Sequence, residues 1–306
     1  MPSATPQPGQ YAPLVGTSKP MRDLLSQIET AAETDANVCI AGERGTGKKL
    51  AARAIHYASR RAPHPLIVFD CAATPASVMA SELVGHTTGA FPAAVSDRDG
   101  AVQLADGGTL VLDDVGALLL PFQATLLQVL QRREVRRVGD ARPRSVDVRL
   151  LTVTSTDLGA LVAAGTLRED LYALLTVVPV SIPPLRERPE DIPFLVDHFL
   201  QQFNRTNVKQ IQSVCSRTLG ALLQHHWPGN VRELEQCIER TAMMTTGPVL
   251  DLPALSQVVP PRTTPAPQAA PGAPRALHPA RAGGWCRRRS SIVPPPWPGI
   301  SLFFGC

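Results

Sequence analysis

The stretch that decides the fold is Ala41 to Leu50, AGERGTGKKL. The apolar run before it predicts a short buried strand over 37–41, and the run from Lys48 to Ile55 predicts a helix. Three glycines between them would let backbone N–H groups converge on a phosphate. The helix offers its positive end there, and Lys48 is placed to reach the outer phosphates. The stretch therefore predicts a strand, loop and helix that bind a nucleotide.

The glycine loop departs from the strict phosphate-loop pattern at its last position. That pattern has Ser or Thr after the lysine, because the hydroxyl ligates Mg²⁺, and here the residue is Lys49. The plain alternative is a glycine-rich turn before an ordinary helix. Other stretches of the chain must therefore separate the two interpretations.

A second informative stretch is Gly108 to Asp114, GTLVLDD. Four β-forming residues end in two carboxylates, as expected when a buried parallel strand delivers acids to the carboxyl edge of a sheet. In a nucleotide site Asp113 would hold Mg²⁺ or its water shell, and Asp114 could polarise an attacking water. The alternative is a strand followed by an acidic turn. The glycine loop upstream favours the nucleotide site.

The apolar pattern along the chain predicts an α/β fold. Buried strands are expected at 37–41, 66–69, 109–112, 148–154 and 177–182. Their alternation with helices predicts a parallel five-stranded P-loop sheet with helices on both faces. From Pro189 the pattern changes to helices alone, which predicts a small α-helical lid subdomain with helices at 192–203, 216–226 and 229–245.

Composition sets the expected domain boundaries. At 306 residues with 44% hydrophobic content, the chain can bury one full core and a smaller satellite. We expect a disordered leader, an α/β nucleotide-binding subdomain, a helical lid and a Pro/Arg-rich disordered tail. These span residues 1–13, 14–188, 189–258 and 259–306.

Charge and cysteine usage exclude several function classes. Six of the 30 basic residues follow Pro260, which leaves 24 against 26 acidic residues in the preceding part, so no nucleic-acid footprint is expected there. Six cysteines form no CxxC pair, so neither a zinc site nor a disulfide framework is predicted. Without a signal peptide or an apolar run of roughly 18 residues, we expect a cytoplasmic protein without membrane contact.

Taken together, these stretches resemble the central AAA+ ATPase domain of bacterial enhancer-binding proteins, the sigma-54-dependent transcription activators. The resemblance extends from about Leu14 to Val258. It rests on LVGTS at 14–18, GERGTGKKLAARAIH at 42–56, ELVGHTTGAF at 82–91, LADGGTLVLDD at 104–114, LREDLY at 167–172, PPLRERPEDIP at 183–193 and WPGNVRELE at 227–235.

The resemblance implies a homo-oligomeric ring that couples ATP hydrolysis to remodelling of RNA polymerase bound by the sigma-54 factor. ATP and Mg²⁺ would be its cofactors, with Asp113 as the magnesium acid and Asp114 at the water-activating position. Arg168 would reach the nucleotide of a neighbouring subunit, and Arg232 would sense the phosphates from the lid. The implied phosphate loop comprises Gly42, Glu43, Arg44, Gly45, Thr46, Gly47, Lys48 and Lys49.

Four departures from the family pattern predict impaired hydrolysis. The family has Glu where this chain has Asp114, and a carboxylate displaced by about 1 Å can cost about 10²-fold in rate. The family's Asn after the second strand is Asp70, which would set two like charges, Asp70 and Asp114, against each other. A sensor Asn has become Ser155, and a second finger arginine has become Leu174.

Two further departures concern the ligand and the partner. The family has Glu at the position of Lys49, which either helps to hold phosphate or repels Mg²⁺; the sequence leaves both open. The family's GAFTGA loop, which contacts sigma-54, reads GAFPAA at 89–94. Because Pro92 fixes φ and removes an N–H donor, we expect impaired contact with sigma-54.

The ends of the chain differ from the family's usual plan. No sensory domain precedes residue 13 and no helix-turn-helix pattern follows Val258, so we expect no DNA-binding domain in this chain. The abrupt change near Pro260 suggests a frameshift or truncation. Three interpretations follow: a weakly hydrolysing ATP-dependent transcription regulator, a non-hydrolysing nucleotide-binding assembly module, and a decayed product without activity.

Overall fold

A parallel five-stranded sheet organises the protein. The computed structural model describes residues 14–251, so the predicted leader and nearly all of the predicted tail lie outside the described residues. The strands within that range are β1 (Val38–Ala41), β2 (Leu66–Asp70), β3 (Thr109–Asp113), β4 (Glu134–Val135), β5 (Arg144–Ser145), β6 (Arg149–Thr154), β7 (Val178–Ser181), β8 (Ser213–Val214) and β9 (Val249–Leu250). The main sheet has the order β2-β3-β6-β1-β7, and all its pairs are parallel.

Helices cover the sheet and form the lid. They are α1 (Lys19–Ala32), α2 (Lys48–Ala58), α3 (Ala76–Val84), α4 (Ala101–Leu104), α5 (Leu120–Arg132), α6 (Leu158–Ala163), α7 (Glu169–Leu175), α8 (Ile192–Thr206), α9 (Ser216–Gln224) and α10 (Asn230–Met244). Three short 3₁₀ turns lie at Val115–Ala117, Leu185–Glu187 and Pro189–Asp191. None of the helices in residues 14–251 is both long and apolar enough to cross a membrane.

The sheet is buried between two apolar layers because helices lie on both faces. Every residue of β3 and β6 is buried, as expected for central strands of a parallel sheet that helices cover on both faces. One core joins β3 to α3, α5 and α7, and the other joins β1 to α1 and α2. The predicted fold class, a parallel P-loop sheet with helices on both faces, is confirmed.

The lid has its own core. Helices α8, α9 and α10 pack around Trp227, which is fully buried and donates its indole N–H to the carbonyl of Leu222 at 2.9 Å. An indole is tolerated in such a core only when its N–H finds an acceptor. The tryptophan thereby ties the end of α9 to the start of α10.

The predicted helical lid is confirmed, and it also contains one short strand pair that was not predicted. The strands β8 and β9 pair in parallel, and two-residue strands are too short to leave a periodic pattern in the sequence. One expectation about local structure is wrong. The second strand, β2, is only partly buried, and Val68 is 44% exposed. It lies at the edge of the sheet, a position that its apolar sequence does not reveal.

Candidate nucleotide-binding site

The glycine loop runs from the end of β1 to the start of α2. Gly45 and Gly47 have φ of +78° and +102°, a region that favours glycine. A Cβ on Gly45 would lie 2.1 Å from the carbonyl oxygen of Gly229, so the loop also touches the start of the lid helix α10. The sequence therefore folds locally into a bare backbone loop that ends at a helix N-terminus.

Lys48 lies at the base of this loop. Its side chain is largely buried, and its ammonium group donates to the carbonyl oxygens of Gly42 and Glu43, both at 2.8 Å. Burial lowers the pKa of Lys48, and the carboxylates of Asp114 and Asp113 oppose that shift. The loop carbonyls thus hold a cation beside the backbone N–H groups, which is an arrangement suited to a phosphate chain.

An open cavity of about 560 Å³ brings together the loop, the strand ends and the lid. It is lined by Arg44, Gly45, Gly47, Lys48, Lys49, Leu50, Asp70, Asp113, Asp114, Val153, Ser155, Val231, Arg232 and Glu235. Seven of the phosphate-loop and acid positions predicted from sequence are therefore neighbours, and Arg232 joins them from α10. Its backbone N–H donates to the carbonyl of Gly45 at 3.2 Å.

The two acids at the ends of β2 and β3 share one cation. Asp70 and Asp113 are partners in the strand register, and the Nζ of Lys49 lies 2.5 Å from Asp113 Oδ2 and 3.6 Å from Asp70 Oδ2. The hydrogen bond to Asp113 raises the pKa of Lys49. Lys49 therefore points at the carboxylates.

The expected like-charge contact between Asp70 and Asp114 is replaced by other partners. Asp70 Oδ1 accepts the backbone N–H groups of Ala72 and Ala73 at 3.1 and 2.9 Å. Asp114, which has a φ of +50°, accepts the hydroxyl of Ser155 at 3.1 Å. Each carboxylate therefore has hydrogen-bond donors of its own.

The Mg²⁺ ion that the resemblance implies does not fit this donor set. The carboxylate of Asp113 is bound by an ammonium group, and the residue after Lys48 has an ammonium group in place of an oxygen ligand. Mg²⁺ in nucleotide sites is bound through one or two carboxylates together with waters and the substrate phosphates, so it depends on a carboxylate that is here in an ion pair. Mg²⁺ requires a near-octahedral shell of oxygens. Metal binding by Asp113 stays a prediction, and the ion pair with Lys49 argues against it.

Glu43 belongs to a contact between the loop and the lid. It forms an ion pair with Arg186 at 2.7 Å and accepts a hydrogen bond from Asn230 Nδ2 at 3.0 Å. These two donors lower the pKa of Glu43 to about 2. Gly42 and Glu43 line a separate cavity of about 440 Å³ with Arg186, and Thr46 is buried with its hydroxyl on the carbonyl of Glu43.

Arg168 lies away from the cavity. It precedes α7, and its guanidinium group binds the carboxylate of Asp170 at 3.0 and 2.7 Å on the protein surface. Leu174, on the same helix, accepts a hydrogen bond at its carbonyl from Asn37. The structure therefore does not bring Arg168 together with the other predicted site residues of the same chain.

Sequence reasoning missed Glu235 as a cavity residue. Its pKa is raised, first by burial and then by the charge of Glu239. The signal available was spacing, because Glu235 follows Arg232 by three residues and shares its helix face. The lid partners of Glu43 had no such signal, since Arg186 lies 143 residues away in the chain.

The fold and the site define an AAA+ P-loop domain with a helical lid. The sigma-54 interaction domain model matches residues 14–181, and the AAA+ ATPase lid domain model matches residues 186–271. The chain belongs to the sigma-54 interaction domain family.

Two curated relatives match more than three quarters of this chain. The Nif-specific regulatory protein of Herbaspirillum seropedicae is 47% identical over 237 residues, which is 78% of this chain and 44% of the relative. The transcriptional regulatory protein ZraR of Escherichia coli (strain K12) is 47% identical over 234 residues, which is 76% of this chain and 53% of the relative. The chain therefore spans about half the length of the curated relatives it matches.

A solved relative has the same fold. The crystal structure of NtrX from Brucella abortus in complex with ATP matches with a TM-score of 0.72 and 37% identity, over 78% of this chain and 54% of that chain. A structure of the same protein with ADP matches with a TM-score of 0.75 and 36% identity, over 82% of this chain and 56% of that chain.

Proposed function

We propose that this chain is the ATP-binding module of a transcription regulator of the sigma-54 activator class, with impaired hydrolysis. The observation that carries the proposal is the buried Lys48 at the base of the glycine loop, which faces a cavity that Arg232 lines from the lid. Loop amides, an ammonium group and a guanidinium group are the donors that a triphosphate needs. The ATP-bound structure of NtrX supports adenine nucleotide as the ligand.

Impaired hydrolysis is proposed from the acidic side of the cavity. Asp114 has a short side chain and directs one oxygen at Ser155, while Asp113 is held by Lys49. A water-activating carboxylate must be placed within a fraction of an ångström to be effective. Leu174 has no charge to supply where the family has a second arginine.

A weakened contact with sigma-54 is proposed from the loop at 89–94. Its backbone closes on itself, since Gly89 N–H donates to Ala94 at 2.8 Å and Ala94 N–H donates to Phe91 at 2.9 Å. The ring of Phe91 lies edge-on to His86, with centroids 4.9 Å apart. Pro92 offers no N–H to a partner. The Phe91 side chain is thus partly occupied by a contact with His86 of the same chain.

Assembly into a homo-oligomeric ring is part of the same proposal. Arg168 lies on the surface with 44% of its side chain exposed, as a residue that reaches a neighbouring subunit would. Transcription regulation would place the protein in the cytoplasm. No protein ligand for Mg²⁺ is proposed.

A second candidate is a nucleotide-binding assembly module that does not hydrolyse ATP. The ion pair between Lys49 and Asp113 favours it, because the carboxylate is already neutralised by the chain itself. ATP would then act as a ligand that stabilises the folded chain or its ring.

Titration calorimetry with ATP and a phosphate-release assay on the full chain test the proposal. We expect saturable binding together with slow turnover. Binding without any turnover would select the assembly module. Absence of binding at millimolar ATP would overturn the proposal and favour the decayed product.

A further inference from the structure

Lys49 has an unusual position for a residue in the first turn of a helix. Its backbone belongs to α2, but its ammonium group reaches the carboxyl ends of β2 and β3. There it lies between Asp113 and Asp70, which the strand register sets side by side. The side chain of Lys49 is 56% exposed and lines the cavity, so its ammonium group contacts both acids and remains accessible to a ligand.

Lys49 brings the formal charge of the cavity lining to zero. Four basic and four acidic side chains line it, and Lys49 supplies one of the four positive charges. A triphosphate that enters brings several negative charges close to Asp113 and Asp114. In P-loop sites a divalent cation normally neutralises that charge. Here a positive charge already lies on the carboxylate that would hold the cation.

We propose that Lys49 is a built-in counter-ion that takes the electrostatic place of the divalent cation at Asp113, so that ATP binds this chain as the free triphosphate and Mg²⁺ does not strengthen binding. The inference rests on the proposed ATP binding and specifies its chemistry. An ammonium group has three N–H donors. Two face Asp113 and Asp70, which leaves the third for a phosphate oxygen.

Mg²⁺ would compete poorly for the same position. It would have to displace the ammonium group from Asp113 and then lie beside the displaced positive charge. It would also find no oxygen ligand on the residue after Lys48, since that residue ends in an ammonium group. With two of its N–H donors facing carboxylates, the ammonium group neutralises charge but has one donor left for a phosphate oxygen, whereas a metal ion bridges two phosphates; this agrees with slow hydrolysis.

The test is the affinity of the full chain for ATP, measured by calorimetry in EDTA and in millimolar Mg²⁺. We expect the two dissociation constants to agree within about threefold. In Lys49→Glu, which removes the ammonium and adds a carboxylate, we expect affinity in EDTA to fall by about 100-fold and Mg²⁺ to restore most of it. Lys49→Arg keeps the charge and should retain metal-independent binding.

The matched control is Lys19→Glu. Lys19 is also an exposed lysine in the first turn of a helix, α1, so its replacement makes the same change against a helix N-terminus. It does not line the cavity, and we expect both dissociation constants to be unchanged. Circular dichroism of each variant checks that the fold is retained.

The outcomes separate the inference from the function it rests on. Wild-type protein that binds ATP in Mg²⁺ but about tenfold or more weakly in EDTA would overturn the inference and leave ATP binding intact. Lys49→Glu that binds in EDTA as tightly as wild type would overturn it as well. A wild-type chain that binds ATP under neither condition would overturn both. The wild-type comparison needs no variant, so it decides even if Lys49→Glu does not fold.

Discussion

The glycine loop and the acidic strand ends face one cavity but are built from different kinds of contact. The loop works through its backbone, with Gly45 in a conformation that admits no side chain and Lys48 held by carbonyl oxygens. The strand ends work through side chains of defined length, such as Asp114, which contacts Ser155. Backbone geometry survives most substitutions elsewhere, whereas one methylene decides where a carboxylate lies. Binding and hydrolysis should therefore be separable in this protein.

The largest effect is expected from restoring the family residues at the strand ends and on α7. The triple variant Asp114→Glu, Asp70→Asn and Leu174→Arg lengthens the carboxylate, replaces an acceptor with an amide and adds a guanidinium group. We expect turnover to rise by about 10³-fold, since the placement of a carboxylate can contribute about 10²-fold and an arginine at the phosphates about 10³-fold or more, and the two effects are not additive. Phosphate release measures the change.

The matched control leaves the strand ends alone. Asp197→Glu makes the same one-methylene extension on α8, outside the cavity, and should leave turnover as it was. If the triple variant turned over no faster than wild type, the acids would not limit the rate and the comparison would fail.

The next effect concerns the loop itself. Lys48→Ala removes the ammonium group that the carbonyls of Gly42 and Glu43 hold. We expect the dissociation constant for ATP to rise about 100-fold, which corresponds to about 2.7 kcal/mol. Calorimetry in EDTA measures it, with Lys19→Ala as the control. Unchanged affinity would mean that the loop is a structural turn.

The helix α2, which follows the glycine loop, contacts the strand β3 through a buried histidine. His56, near the end of α2, is fully buried, and its Nδ1 lies 2.9 Å from the hydroxyl of Thr109 on β3, the strand that ends in Asp113. Burial, assisted by the charge of Arg149, lowers the pKa of His56 to about 4. The unfolded chain therefore binds a proton at higher pH than the folded chain does.

The sign follows from that difference. As pH falls from 6.5, the ordinary value, towards about 4, His56 takes up a proton only in the unfolded chain, so folded-state stability is lost across this range. Between about pH 7 and pH 4.5 we expect a loss of about 2 kcal/mol from this residue. Urea unfolding of His56→Gln should show a correspondingly smaller pH dependence. His198→Gln, on the lid helix α8, should keep the wild-type dependence, and identical curves for wild type and His56→Gln would refute the assignment.

The smallest effect is expected at the contact between loop and lid. Glu43→Gln removes the ion pair with Arg186 and keeps an acceptor for Asn230. Because the pair is partly exposed, we expect ATP affinity to change only about threefold, or about 0.6 kcal/mol. Glu190→Gln, an exposed glutamate outside both cavities, is the control. A loss as large as that of Lys48→Ala would place Glu43 in the site after all.

The sequence predicted the parts of the molecule that have local signatures. Apolar strands followed by polar residues indicated the sheet, and the parallel arrangement brought Lys48, Asp113 and Asp114 to one edge. The edge position of β2 depends on the order of strands, which differs from their order in the chain. The directions of Lys49 and Glu43 also escaped prediction, because each is set by partners on another element. Long-range pairing of surface charges has no periodic trace.

The buried carboxylate of Asp191 limits how far the protein can be truncated at its N-terminal side. It is fully buried at the start of the lid and accepts the N–H groups of Thr17 and Ser18 and the hydroxyl of Ser18, at 2.7 to 2.8 Å. A recombinant fragment that begins at α1 would leave this buried carboxylate without these donors. We expect the free energy of unfolding to fall by about 3 kcal/mol or more. We therefore expect the lid to be cleaved faster in limited proteolysis when the short segment before α1 is removed, although that segment is distant from the lid in the chain.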